Sequence, residues 1–253
     1  MNKIIENFLN IHKTEYSIER LDTETAFEHF ANKCIVNKYS NERFDPSDIM
    51  TDPGEKGLDG VAICVNGRVI TSVDELESIL SEAKSLDVRF IFIQAKTSEH
   101  FDGDEIGTFI YGVKAFFAPE NLRPKTNEKM DNLIMLKDEI YKHSIDMTSA
   151  PVLDLYYVCC GKWNEGNDLR ARVTLDIQPL IDTQNFTSVT FFPYDSEKII
   201  TTYKELKKKV SRSFAMEKKV TFPPIDGVKQ AFLGLVKCKD CLLYTSDAAD
   251  DLT

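Results

Sequence analysis

The stretch "VRFIFIQAKTS", from Val88 to Ser98, constrains the fold more than any other part of the chain. Successive side chains of a strand point to opposite faces. Phe90, Phe92, Gln94 and Lys96 therefore share one face, and Ile91, Ile93 and Ala95 share the other. Both faces stay apolar until the strand's exit, the pattern of a central strand covered on both sides. Gln94 and Lys96 are then two polar groups side by side where the strand leaves the core.

The flanking segments supply the cover. In "ETAFEHFANKCIV", Phe27, Phe30, Ala31, Cys34 and Ile35 recur at helical spacing and predict a helix with one buried face. Strands are expected over 58–65 and 68–72, joined by Asn66-Gly67, a strong type I′ hairpin signal. A surface helix capped by Ser72 or Asp74 leads into the strand at 88–95. "DEIGTFIYGVKAFF" then places Ile106, Phe109, Ile110, Val113, Phe116 and Phe117 on one helical face. From there helices (127–143, about 165–183, 196–210) alternate with strands (152–160, 187–193). The alternation predicts an α/β fold with a central mixed sheet flanked by helices. We expect one α/β domain over 1–200 and the start of a second over 201–240.

The tail from Cys241, "CLLYTSDAADDLT", reads like a translated sequencing-library adapter, so 241–253 is expected to be non-native. That reading removes the second cysteine of "CKDC" from any zinc argument.

Bulk properties narrow the function classes. A net charge of −10 argues against broad nucleic-acid coating but leaves room for a local groove. Lys and Arg cluster over 203–219, where a solvated helix face is the ordinary reading. No run approaches the roughly 18 apolar residues of a membrane span, and the start lacks the marks of a signal peptide. A cytoplasmic protein without membrane contact is expected. Cys34, Cys64, Cys159 and Cys160 lie in apolar runs and suit a reducing compartment.

Asp59 shares strand parity with Val61 and Ile63, and neighbouring strands lie about 4.8 Å apart. In a suitable register Asp59 meets Gln94 and Lys96. A carboxylate and an amide oxygen are hard ligands of the kind Mg²⁺ takes, with Mn²⁺ as a substitute. A lysine beside them can stabilise charge building on phosphorus. Glu28, at the edge of its helix's apolar stripe, is a third candidate ligand. Thr97 and Ser98 are candidates for holding a phosphate, although loop hydroxyls more often make local turn bonds. A purely structural reading has Asp59 capping a turn beside Gly57 and Gly60, with Lys96 snorkelling from the strand end. His29 reads as a surface residue and Trp163 as a packing one.

A helix with Glu28, a hairpin with Asp59, a strand ending in Gln94-x-Lys96 and a following helix together resemble the PD-(D/E)xK nuclease core. More narrowly, "GEKGLDGVAICVNG", "FIQAKTS" and "FIYGVKAFF" are similar to the N-terminal region of the AIPR (abortive-infection phage-resistance) family. The resemblance implies a restriction-endonuclease-like core and a metal-dependent endonuclease of phage defence. It implies Asp59 as chief metal ligand, Gln94 at the second acidic position, Lys96 as catalytic lysine and Glu28 as auxiliary ligand. It implies nucleic acid as partner, DNA ahead of RNA, a larger C-terminal domain in cis of which 201–240 is the start, and room for a homo-oligomer. Gln94 departs from the acidic pattern of the broad superfamily. The alternative is a degenerate nuclease fold that binds nucleic acid or a phage trigger without cutting.

Overall fold

The computed structural model describes residues 1–52, 57–163, 167–208, 217–222 and 231–235. The chain divides into two units, Met1–Lys207 and Lys208–Thr253. Unit one opens with helices α1 (Lys3–Tyr16), α2 (Thr23–Val36) and α3 (Pro46–Ile49). Strands β1 (Gly60–Val65) and β2 (Arg68–Ile70) follow, then α4 (Val73–Glu82), β3 (Val88–Lys96) and α5 (Gly103–Phe117). The remaining elements are α6 (Glu128–Lys142), β4 (Val152–Cys159), α7 (Asn167–Asp182), β5 (Ser188–Tyr194) and α8 (Ser196–Lys207). The boundary expected at 200/201 falls inside α8.

The five strands form one open sheet in the order β2-β1-β3-β4-β5. β1 runs antiparallel to β2 and β3, whereas β3, β4 and β5 are parallel, so the sheet is mixed. β3 is the middle strand, as its two apolar faces require. Phe90 and Phe92 join a core with α4, α5, α6 and α7 on one side. Ile91, Ile93 and Ala95 join a core with α1, α2, α3 and α8 on the other. All five side chains are at most 4% exposed. Burying each large one contributes about 1.5–3 kcal/mol, so β3 anchors both layers.

Local sequence explains the element ends. Asp22 accepts from the N–H groups of Glu24 and Thr25 and caps α2. Ser72 and Glu75 form a capping box that starts α4. Asn66 and Gly67 both have positive φ (52° and 75°), as the two-residue turn between β1 and β2 demands. Trp163 packs against Phe101 and Phe191, and the four cysteines expected to be apolar fillers are buried and free. Among the described residues no helix is long and apolar enough to cross a membrane.

Two expectations need correcting. β1 starts at Gly60 rather than at 58, so Asp59 sits in a bend before the strand. His29 is not on the surface: it is 1% exposed, and its Nδ1 lies 2.7 Å from His12 Nε2. α2 buries nine of its 14 residues, because α1, α3 and α8 cover the side turned away from the sheet. A single-stripe reading of α2 could not anticipate that second cover.

In unit two, β6 (Glu217–Phe222) and β7 (Ala231–Leu235) pair antiparallel. The tail 241–253, the "CKDC" cysteines, the middle of the basic cluster (209–216) and Lys56 of the "KGLDG" loop lie outside the described residues.

Candidate metal and active site at the exit of the central strand

β1 and β3 pair with Gly60 opposite Ile93, which brings the residue before β1 alongside the last residues of β3. The Asp59 amide donates to Ile93 O at 2.9 Å. Its side chain turns back, and Asp59 Oδ2 accepts the Ala95 N–H at 2.8 Å. Ala95 stands between Gln94 and Lys96, so the carboxylate lies against the segment that carries both. From the other side α2 locks the bend. Asn32 Nδ2 donates to Asp59 O at 3.1 Å, and a Cβ on Gly60 would stand 2.2 Å from Asn32 Oδ1. Gly60 is therefore needed for the close approach of α2 to the start of β1.

Glu28 lies one helical turn before Asn32, half-buried on α2. Burial, followed by the Asp59 carboxylate, pushes its pKa up to about 7, against a lowering by Lys96. Asp59 is raised as well, chiefly by burial. The Ala95 N–H and Lys96 oppose that shift, and Glu105 of α5 adds to it. Two carboxyls share one partly desolvated place, each held up chiefly by burial and further by the negative charge of a neighbouring carboxylate. Lys96 offsets part of that charge.

Gln94 points the other way from Ala95 and is 3% exposed. Its Oε1 is buried without a hydrogen-bond partner. A Cβ at Gly57 (φ +72°) would stand 3.1 Å from Gln94 Nε2, 3.4 Å from Oε1 and 3.3 Å from the Phe109 backbone nitrogen. The Gln94 amide is thus enclosed between the Gly57 turn and the first half of α5. A buried acceptor left without a donor is costly.

The donor set fits a hard divalent cation. Two raised carboxyls and an orphaned amide oxygen offer oxygen only, the preference of Mg²⁺ and Mn²⁺. Among the described residues no three His, Cys, Asp or Glu side chains converge closely enough to hold an ion by themselves. An ion here would rest on one or two carboxylates, the Gln94 oxygen and water, the arrangement common for Mg²⁺.

Ser98 and Thr97 stand differently. Ser98 is exposed, and its hydroxyl donates to His100 O at 3.1 Å, a local turn bond. Thr97 directly follows β3 and is half-buried. Three participants were not singled out from sequence: Asn32, Glu105 and Tyr157. Tyr157 of β4 pairs with Gln94 in the sheet, and its hydroxyl donates to Glu105 Oε2 at 2.8 Å. A signal for Glu105 existed. It lies four residues before Phe109, beside the apolar face that docks α5 on the sheet. Compared with known proteins, the chain matches no family model, no curated sequence and no solved structure.

Proposed function

We propose that the exit of β3 is the active site of a metal-dependent endonuclease with a restriction-endonuclease-like core, acting in phage defence. The observation that carries this reading is that Asp59 Oδ2 accepts the N–H of Ala95, the residue next to Gln94, whose own Oε1 is buried and unpartnered. The order of elements, helix with Glu28, hairpin preceded by Asp59, strand ending in Gln94-x-Lys96, supports it.

Asp59, Gln94 and, secondarily, Glu28 would hold the cation. When bound, Mg²⁺ supplies Lewis-acid polarisation of a phosphoryl oxygen and an acidified water. The chain's own groups do the rest. The Ala95 N–H fixes the Asp59 carboxylate, so that little reorganisation is needed on binding. Lys96 places a positive charge beside the carboxyls, where negative charge builds on a phosphodiester under attack. A DNA backbone is the first substrate to test and RNA the second.

Calorimetric titration with Mn²⁺, paired with cleavage of labelled DNA and RNA in Mg²⁺ or Mn²⁺, tests the reading. Metal binding that disappears in Asp59→Asn, with metal-dependent cleavage, is the expected result. Absence of divalent-cation binding by the wild-type chain would refute it. The neutral Gln94 favours one second reading, a nuclease-fold module that binds nucleic acid without cutting. Metal and nucleic-acid binding without turnover would select that module.

A further inference from the structure

Gln94 leaves the site one negative charge short of a two-carboxylate strand pair, and the strand neighbour of Gln94, Tyr157, holds the carboxylate of Glu105. Glu105 lies in the first turn of α5 and is exposed. Its Oε2 is held at 2.8 Å by the hydroxyl of Tyr157, whose residue is fully buried. Tyr157 is the direct cross-strand partner of Gln94, so the two side chains stand next to each other on the same face of the sheet. One turn along α5, the Phe109 backbone closes over Gly57 and the Gln94 amide. The Phe109 ring also lies 6.3 Å from that of Tyr157. Glu105 and the orphaned Gln94 amide therefore share one neighbour, Tyr157, and the helix that carries Glu105 also supplies the Phe109 backbone at the Gly57 turn.

From this geometry we infer that Glu105 supplies the second negative charge of the divalent-cation site, in place of the acid that Gln94 does not provide, and that Tyr157 positions it. The inference rests on the cation-site reading above. It explains why a buried tyrosine hydroxyl is directed at an exposed carboxylate rather than at a backbone carbonyl. It also makes a neutral glutamine at the strand end compatible with cation binding.

The test is an Mn²⁺ titration of the purified chain, read by calorimetry or by the free-Mn²⁺ paramagnetic signal. Five proteins are compared: wild type, Glu105→Gln, Tyr157→Phe, and the double variants Tyr157→Phe/Glu105→Gln and Gln94→Glu/Glu105→Gln. Circular dichroism and melting temperature report folding alongside. Glu105→Gln is expected to weaken Mn²⁺ binding at least about tenfold, the scale of a lost ligand or ligand-orienting group. Gln94→Glu in that background is expected to restore affinity to within a few-fold of wild type. Tyr157→Phe is expected to lose several-fold, with little added loss when combined with Glu105→Gln, because the two act as a unit. Wild-type affinity in Glu105→Gln would overturn this inference and leave the cation site standing. So would a loss that Gln94→Glu does not restore. Failure of the wild type to bind Mn²⁺ would overturn both.

Discussion

The Asp59 carboxylate accepts the Ala95 N–H at 2.8 Å and so takes, with a side chain, a hydrogen bond that no residue of β1 is placed to take. One group thereby closes the edge of the β1–β3 pair and, under the proposed function, has a second role as the anionic ligand of the cation. The roles separate by substitution. Asp59→Asn keeps an oxygen acceptor and removes the charge. Its unfolding free energy is expected to stay near wild type, while Mn²⁺ affinity falls at least about tenfold. Asp59→Ala also removes the acceptor and is expected to lose about 1–3 kcal/mol by urea unfolding. Equal Mn²⁺ binding by Asp59→Asn and wild type would reduce Asp59 to the structural cap alone.

Titration gives a second prediction, with signs set by the direction of each shift. Glu28 is raised from 4.5 to about 7, so between those values the folded chain holds more protons than the unfolded one. Stability contributed by Glu28 therefore falls as pH rises through that window, and Asp59, also raised, acts in the same direction. His12 is lowered, mainly by burial, from 6.5 to about 3, and His29 is lowered too. The histidines make stability rise with pH up to about 6.5. The two effects oppose each other between about 4.5 and 6.5. Glu28→Gln should remove the falling component, so its stability should climb more steeply from pH 5 to pH 7 than the wild type's. Urea unfolding at pH 5, 6, 7 and 8 measures this. Parallel curves for the two proteins would show that Glu28 does not titrate in the site.

Much of this architecture was legible because β3 is apolar on both faces. That single run required two covering layers, and the Asn66-Gly67 turn and the periodicity of α5 supplied the neighbours. The strand parity of Gln94 and Lys96 was legible for the same reason. Other relationships were hidden because they cross between elements distant in sequence. The link between Glu105 and Tyr157 spans 52 residues, and nothing local to either announces it. The Asn32 contact with Gly60 depends on how deeply α2 sinks into the sheet, which periodicity does not reveal. Sequence alone places His29 on the surface because charge-capable residues are usually exposed. Here a second imidazole, His12, satisfies its ring nitrogen inside the protein.

Gly60 gives a third prediction. Its missing side chain admits Asn32, whose amide holds the Asp59 carbonyl. Gly60→Ala introduces a contact of 2.2 Å with a side chain that is itself fully buried. We expect a loss of about 1–3 kcal/mol in urea unfolding, the range for overpacking a core. Adding Asn32→Ala should return part of that loss, since it clears the space. Fully additive losses in the double variant would place the origin of the Gly60 effect elsewhere than in the Asn32 contact.

Under the proposed function, substitution of Lys96 separates binding from chemistry. It lies at the end of β3 and lowers the proton affinity of both Asp59 and Glu28. A cation entering the site meets the same positive charge, so Lys96→Ala should bind Mn²⁺ as tightly as wild type or slightly more so. Turnover should respond in the opposite way. A positive charge fixed beside a phosphoryl group stabilises the transition state more than the ground state, because negative charge grows there as the bond breaks. Loss of one such group typically lowers kcat by about 10²–10³-fold. Lys96→Arg keeps the charge but replaces a compact ammonium with a planar fork, and it should recover only part of the rate. The measurements are Mn²⁺ affinity and cleavage rate for all three proteins on the same labelled substrate. A Lys96→Ala protein that cleaves as fast as wild type would remove the lysine from the chemistry, and one that loses Mn²⁺ binding in step with its rate would assign Lys96 to the integrity of the site instead.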